Sequence, residues 1–125
     1  MSRRPAAPPA DPRALDRTLQ ALAEPTRRAV VGLLRDGPQR AGEIADALAM
    51  SRQAMSRHLR VLRQAGVIQP VGAASPDDDA RARTYRLEAQ PLADLQAWLG
   101  DVQAFWDAQM QALRKQAERV ARART

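Results

Sequence analysis

Hydrophobic residues recur at three- and four-residue steps along four stretches in the first half of the chain, which is the spacing of amphipathic helices. The predicted helices cover about 12–23, 25–36, 41–48 and 51–65. Proline is tolerated in the first turn of a helix and glycine often ends one, so Pro25 and Gly66 support the boundaries at which they stand. In the fourth helix, Met55, Leu59 and Leu62 form the seam that should face the core.

Beyond the fourth helix the pattern changes from helical to extended. Strands are predicted at about 67–71 and 82–88, and in the second one Tyr85 and Leu87 fall on one face, as a period of two requires. The loop between them carries Asp77–Asp79, for which a solvated loop tip is the expected role. A short helix, a basic helix and two strands in this order predict a winged helix-turn-helix, mainly α with a small β-hairpin wing.

A long helix is predicted at about 91–121, because hydrophobic residues continue there in heptad-like steps. The seam consists of Leu92, Leu95, Leu99, Val102, Trp106, Met110, Leu113, Ala117 and Val120, with Trp98 and Phe105 beside it. One small domain cannot cover an apolar stripe of this length, so a second copy of the chain is expected to cover it. For the three aromatic residues, the alternative is a pocket at the dimer seam that binds an unknown small-molecule effector.

The chain of 125 residues is long enough for one core and divides into three regions. Residues 1–11 form a basic, proline-rich and flexible N-terminal arm. Residues 12–90 form the winged helix-turn-helix, and 91–125 form the long dimerisation helix with a basic tail. Hydrophobic residues make up 45% of the chain but aromatic residues only 3%, so the core must be aliphatic.

Several classes of chemistry are excluded by residue usage. The chain has no cysteine and one histidine, His58, so it can form neither a disulfide framework nor a thiolate metal site. It shows no nucleophile–base pair and no glycine-rich phosphate loop, so no enzyme activity, cofactor or metal is expected. It also shows no secretory signal and no membrane-spanning run, and we expect a cytoplasmic protein that binds no membrane.

Positive charge is concentrated on the predicted fourth helix. The formal net charge is +6, and no acidic residue occurs from the end of the third helix to the wing loop. In helix-turn-helix proteins the N-terminal outer face of the second helix meets base edges. We therefore expect Arg52 and Arg57 to bind guanine and Gln53 to bind adenine, while Arg60 and Arg63 hold phosphates. The alternative is a solvated basic helix face.

The complete set of predicted DNA-binding residues is Ser51, Arg52, Gln53, Ser56, Arg57, His58, Arg60, Arg63, Arg81 and Arg83. Ser51 is expected to cap the helix. His58 lies beside the inward Leu59, and it has a packing or a phosphate-binding role because no second metal ligand is near. Arg81 and Arg83 flank the returning strand and are expected to reach the minor groove or backbone, with a plain exposed strand as the alternative.

Several segments resemble the ArsR-type winged-helix transcriptional regulators. They are LAEPTRR at 22–28, VVGLL at 30–34, EIADAL at 43–48, the run 51–68 and RTYRL at 83–87. The family's cysteine motif in the third helix and its His/Asp/Glu cluster in the last helix are absent, so the chain resembles a branch without metal sites. The resemblance implies homodimeric repressors that pair through their first and last helices.

That pairing would give the dimer interface Leu15, Leu19, Leu95, Trp98, Leu99, Val102, Phe105, Trp106, Met110 and Leu113. The expected function is a homodimeric, sequence-specific regulator of transcription that binds double-stranded DNA. It would act as a repressor at an inverted repeat, which the resemblance implies lies near its own promoter. Two alternatives stay open: an architectural protein that binds DNA without sequence preference, and a protein-interaction module that docks a partner through the winged helix.

Overall fold

The computed structural model describes residues 11–72 and 83–124. Most of the predicted N-terminal arm lies outside these residues. So does most of the predicted wing loop, including Asp77–Asp79 and the candidate DNA-binding residue Arg81.

The described residues form helices and strands in the predicted order. They are α1 (Ala14–Leu22), α2 (Pro25–Leu34), β1 (Gln39–Arg40), α3 (Ala41–Ala47), α4 (Arg52–Gln64), β2 (Ile68–Pro70), β3 (Thr84–Leu87) and α5 (Ala89–Ala123). All five predicted helices and both predicted strands are confirmed to within two residues at each end. Helix α5 begins before Pro91, which is compatible with a first turn because N–H groups there have no partner within the helix.

The sheet has one strand more than the predicted hairpin. Its strands are antiparallel in the order β1-β3-β2, with Gln39 opposite Tyr85 on one side of β3 and Pro70 opposite Tyr85 on the other. Strand β1 is two residues long, so it has no hydrophobic alternation by which the sequence could reveal it. Its pairing is decided by the place where β3 returns, and the prediction of a two-stranded hairpin was incomplete.

The core is aliphatic except for Tyr85, close to the prediction, and lies where α2, α3 and α4 meet the sheet. Its buried members are Ala21, Val30, Leu34, Ile44, Ala45, Met55, Leu59, Leu62, Val67, Ile68 and Tyr85. Helix α1 contributes Thr18 and Ala21, while Leu15 is half-buried and Leu19 remains 37% exposed. The leucines of α1 therefore do not form the centre of this core.

By its internal contacts the chain divides into two compact units, residues 1–95 and 96–125. The first unit holds the helix-turn-helix and the sheet. The second consists, in its described part, of the remainder of α5, which has no buried residue anywhere along its length. None of the helices in the described residues is long and apolar enough to cross a membrane.

Candidate nucleic-acid interface

Helix α4 is closed by hydrogen bonds at both ends. Before its first turn the Ser51 hydroxyl accepts the N–H of Ala54 at 3.2 Å, so serine caps the helix as predicted. After its last turn Gly66 adopts φ +78°, and its N–H donates to the Arg63 carbonyl at 2.9 Å. The next N–H, of Val67, donates to the Leu62 carbonyl at 3.0 Å, which completes a Schellman motif.

The turn that connects α3 to α4 has the same hydrogen-bond pattern without a glycine. Ala49 takes φ 53°, its N–H donates to the Asp46 carbonyl at 3.2 Å, and the N–H of Met50 donates to the Ala45 carbonyl at 3.0 Å. The left-handed conformation of Ala49 turns the chain between the two helices. It thereby helps to set the direction of α4 relative to α3.

The two faces of α4 differ sharply in burial and charge. Met55, Leu59 and Leu62 are at most 4% exposed and anchor the helix to the core, which confirms the predicted seam. The opposite face is exposed and carries Arg52, Gln53, Ser56, Arg57, Arg60 and Arg63. The buried side holds the exposed side in place, so the guanidinium groups are presented on a fixed support.

The exposed residues nearest the start of α4 share a single surface feature. A shallow, open depression is lined by Arg52, Gln53, Ser56, Arg57 and Arg60. A second depression, on the α3 side, is lined by Arg40, Gly42, Glu43, Asp46 and Arg52. Arg52 borders both, so the acidic residues of α3 offset its charge more than they offset the charges of Arg57 and Arg60.

His58 does not belong to this basic face. Its ring is 19% exposed, and its Nδ1 lies 3.7 Å from the Glu24 carboxylate and 3.5 Å from a terminal nitrogen of Arg27. Both partners belong to the start of α2. The structure therefore places His58 in the contact between α2 and α4, and its predicted part in DNA binding stays a prediction.

Glu24 is the residue that caps α2, and its surroundings favour the charged carboxylate. Burial raises the pKa of Glu24. Hydrogen bonds from the backbone N–H groups of Arg27 and Thr26 lower this pKa, as do the charges of His58 and Arg27, and together they outweigh the effect of burial. The net result is a pKa below the ordinary value. The Glu24 carboxylate accepts the Arg27 N–H at 3.1 Å, so its ionised form supports the helix start.

Arg27 and Arg28 have positions that the sequence did not reveal. The Arg27 side chain donates from Nε to the Ala21 carbonyl at 2.6 Å and from a terminal nitrogen to the Gln20 carbonyl at 3.2 Å. Arg28 donates to the Leu22 carbonyl at 2.8 Å. Carbonyls at the C-terminal end of a helix have no partner within it, so these two arginines complete the end of α1. Arg27, in α2, also contacts His58 of α4, so this one side chain links α1, α2 and α4.

Comparisons with known proteins agree on one family. A family model described as a helix-turn-helix domain matches residues 22–71. The chain is 41% identical over 96 residues to the HTH-type transcriptional regulator Rv2034 of Mycobacterium tuberculosis, covering 75% of this chain and 79% of that protein. The chain belongs to the ArsR family. It is accordingly a DNA-binding transcriptional regulator, as its resemblance implied.

Solved structures of ArsR-family proteins have the same fold. The crystal structure of the ArsR family transcriptional regulator RHA00566 matches with a TM-score of 0.64 and 34% identity, over 75% of this chain and 97% of that one. The homodimeric winged helix-turn-helix DNA-binding domain Mb0332 from Mycobacterium bovis matches with a TM-score of 0.57 and 23% identity, over 83% and 91%. The second likeness shows the fold alone.

Arg83 has a structural role in this ArsR-family chain that its charge does not indicate. Its carbonyl accepts the N–H of Ala41 at 2.9 Å, so the residue directly before β3 completes the start of α3, where the Arg40 side chain forms no capping bond. The side chain is half-buried, and its Nε has no hydrogen-bond partner in the part of the chain that the structure describes. Contact of Arg83 with DNA remains a prediction.

The predicted dimer residues of α5 lie open along the helix. Exposed fractions are 43% for Trp98, 51% for Leu99, 60% for Phe105 and Trp106, 59% for Met110 and 58% for Leu113. Leu95 and Val102 are half-buried. The Phe105 and Trp106 rings meet edge to face, with centroids 6.1 Å apart. Within residues 11–72 and 83–124, no group of three or more His, Cys, Asp or Glu side chains is placed to hold a metal ion.

Proposed function

We propose that this ArsR-family regulator is a cytoplasmic homodimeric repressor that binds an inverted-repeat operator sequence-specifically, with its own promoter as the first candidate. The observation that carries the proposal is the depression on α4, where three arginines, a glutamine and a serine converge on one exposed face. Core residues lock the opposite face of the same helix. A rigid helix with convergent donors is what reading of the major groove requires.

Roles within this face follow from position along the helix. Arg52, Gln53, Ser56 and Arg57 occupy the first two turns, where the reading helix meets base edges. Arginine matches the O6 and N7 atoms of guanine, and glutamine matches the N6 and N7 atoms of adenine. The other exposed arginines, Arg60 and Arg63, stand further along and suit phosphates, which hold the register of the complex without reading sequence.

The homodimer is supported by the large hydrophobic side chains that α5 leaves exposed. Monomeric proteins rarely expose a contiguous apolar patch of this extent, and such patches mark interaction sites. The neighbour Mb0332 is described as homodimeric. A two-fold dimer would place its two reading helices in successive major grooves about 34–36 Å apart, so the operator should be an inverted repeat with that half-site spacing.

Repression is the simplest action for a winged helix-turn-helix regulator. The described residues form that domain and one long helix. A dimer bound across a promoter blocks polymerase by occupying its site. Repression therefore needs no further contact.

The test is a footprint of the purified protein on its own upstream DNA, with titrations at two salt concentrations. Protection of two half-sites one helical turn apart is expected, and affinity should fall steeply with salt because bound phosphates release counterions. Equal affinity for the native and a scrambled site would indicate an architectural protein. Unchanged regulatory activity after Arg52→Ala and Arg57→Ala together would indicate a protein-interaction module.

Single substitutions separate the roles of the arginines. Arg57→Ala should weaken binding to the operator about tenfold or more and relax the preference at one base pair of each half-site. Arg63→Ala should weaken binding to native and scrambled DNA alike. The slope of the logarithm of the binding constant against the logarithm of the salt concentration should also become shallower, by about one for each phosphate that the variant no longer binds. Arg35→Ala is the matched control, because Arg35 is exposed but belongs to the end of α2 and not to the basic face of α4.

A further inference from the structure

His58 makes the polar contacts that join a side chain of α4 to another helix. Among the residues that the structure describes, its Nδ1 lies 3.5 Å from a terminal nitrogen of Arg27 and 3.7 Å from the Glu24 carboxylate, both at the start of α2. The rest of the inward side of α4 is apolar, and hydrophobic contacts have no preferred direction. The angle at which α4 is held about its own axis therefore depends in part on His58.

The two partners of this one ring nitrogen cannot both bond to it. A neutral Nδ1 without a proton accepts a hydrogen bond, which Arg27 can donate. A protonated ring offers only N–H donors, so the Glu24 carboxylate becomes the partner and the positive charge of Arg27 repels the ring. The bond between His58 and Arg27 therefore exists only while the ring is neutral.

Arg27 is a fixed support for this bond. Its side chain donates from Nε to the Ala21 carbonyl at 2.6 Å and from one terminal nitrogen to the Gln20 carbonyl at 3.2 Å, and its other terminal nitrogen faces His58. The guanidinium is planar and rigid, so the two carbonyls at the end of α1 also fix the nitrogen that meets the ring. The charged groups at the ring are thus Arg27 and Glu24 from α2, while α1 contributes neutral carbonyls.

His58 stands directly after Arg57, one of the residues that line the depression on the exposed face of α4. A turn of the helix about its axis moves both side chains together. Groups that recognise a partner by paired hydrogen bonds must be held within about 0.5 Å, whereas the attraction of a charge to a phosphate follows distance more than direction. Loss of the bond to Arg27 should therefore weaken the reading of bases more than the general attraction to DNA.

We propose that His58 is a positioning residue for operator recognition: the bond from Arg27 to its neutral Nδ1 fixes the orientation of α4, and the ring itself does not contact DNA. This inference rests on the proposed sequence-specific reading by α4 and names a residue on which that reading depends. It also makes recognition sensitive to protonation of the one histidine in the chain. The quantity to measure is the operator preference, defined as the ratio of the binding constants for the native and the scrambled operator.

Two substitutions at His58 test the bond at about pH 8, where histidine is ordinarily neutral. His58→Leu removes the acceptor and should lower the operator preference about five- to tenfold, while binding to scrambled DNA stays within about twofold of wild type. His58→Asn keeps an uncharged acceptor oxygen close to the position of Nδ1 and should restore the wild-type preference. Arg63→Ala is the comparison on the same helix, because loss of a phosphate contact should weaken binding to both DNAs and flatten the salt slope, which His58→Leu should leave unchanged.

The dependence on pH provides a measurement on the wild-type chain. Histidine is the side chain that ordinarily titrates between about pH 5 and 8, and this chain has no second one. The added charge attracts both DNAs, so the ratio of the two binding constants removes that effect. The wild-type preference should fall toward that of His58→Leu as the pH is lowered from about 8 to about 5, whereas the preference of His58→Asn should stay constant. Circular dichroism at each pH checks that every variant is folded.

The outcomes separate the role of His58 from the proposed function. Equal loss of binding to both DNAs in His58→Leu, with a shallower salt slope, would make His58 a phosphate contact and overturn the inference. The inference would also be overturned by an unchanged preference in His58→Leu, by a reduced preference in His58→Asn, or by a wild-type preference that does not change with pH. All of these would leave sequence-specific reading by α4 intact. A wild-type chain that binds the native and the scrambled operator equally would instead refute the proposed function, and the inference with it.

Discussion

Replacing Ala49 by glycine should stabilise the helix-turn-helix, although the substitution removes a side-chain carbon and adds backbone freedom. Ala49 has φ 53°, a left-handed conformation in which the Cβ of an L-residue crowds the following carbonyl. The structure offers a direct comparison, because Gly66 occupies the same position in the Schellman motif at the end of α4 with φ +78°. One motif therefore carries strain that the other avoids.

The magnitude follows from two opposing terms. Left-handed backbone costs a residue other than glycine about 1–2 kcal/mol, while glycine loses about 0.5–1 kcal/mol more than alanine through the entropy of the unfolded chain. Ala49→Gly should therefore raise the free energy of unfolding by about 0.5–1 kcal/mol, and Gly66→Ala should lower it by about the same amount. A Cβ at Gly66 would meet no atom within 4 Å, so its cost is conformational and not steric.

Urea denaturation followed by circular dichroism at a fixed protomer concentration measures both changes. In thermal denaturation of a unit of this size, a change of 1 kcal/mol would shift Tm by about 4–8 °C. Gly32→Ala is the control, because Gly32 lies inside α2 and a Cβ there also meets nothing within 4 Å. It should stabilise by about 0.5–1 kcal/mol. The reasoning from backbone conformation would be refuted if Gly32→Ala and Gly66→Ala changed the free energy of unfolding in the same direction. It would also be refuted if Ala49→Gly lowered that free energy.

Two further predictions concern the packing of α1, α2 and α4. Arg27→Gln should lower the free energy of unfolding by about 1.5–3 kcal/mol, because it removes charge-assisted bonds to two carbonyls at the end of α1. Arg35→Gln, which changes an exposed arginine, should lower it much less in the same denaturation assay. The lowered pKa of Glu24 means that its carboxylate contributes stability above its unfolded pKa, and that this contribution is lost as the pH falls through the lower folded value. Glu24→Gln should therefore be less stable than wild type at pH 7, and the difference in the free energy of unfolding should shrink as the pH falls below the ordinary range of carboxyl pKa values. A difference that does not change with pH would contradict this assignment.

Short-range pattern was sufficient to predict most elements of this protein. Helix α4 is determined locally, because a serine stands at its start, a glycine stands at its end, and its apolar and basic residues separate at helical spacing. The exposed basic face follows directly from that separation. The apolar stripe of α5 is also a property of sequence, since a periodic pattern shows on which side of a helix the hydrophobic residues fall.

Tertiary structure decided what depends on residues far apart in the chain. Strand β1 exists because β3 returns beside Gln39, and the start of α3 is completed by the Arg83 carbonyl. In the sequence His58 is one more polar residue of the basic helix, yet Glu24 and Arg27 meet it across more than thirty residues of chain. Periodicity specifies the face on which a side chain lies, but a hydrogen-bond partner depends on where the rest of the chain folds. The sequence thus determined the exposed basic face that we propose to meet DNA. Only the packed structure separated His58 and Arg27, which hold helices together, from the arginines of that face.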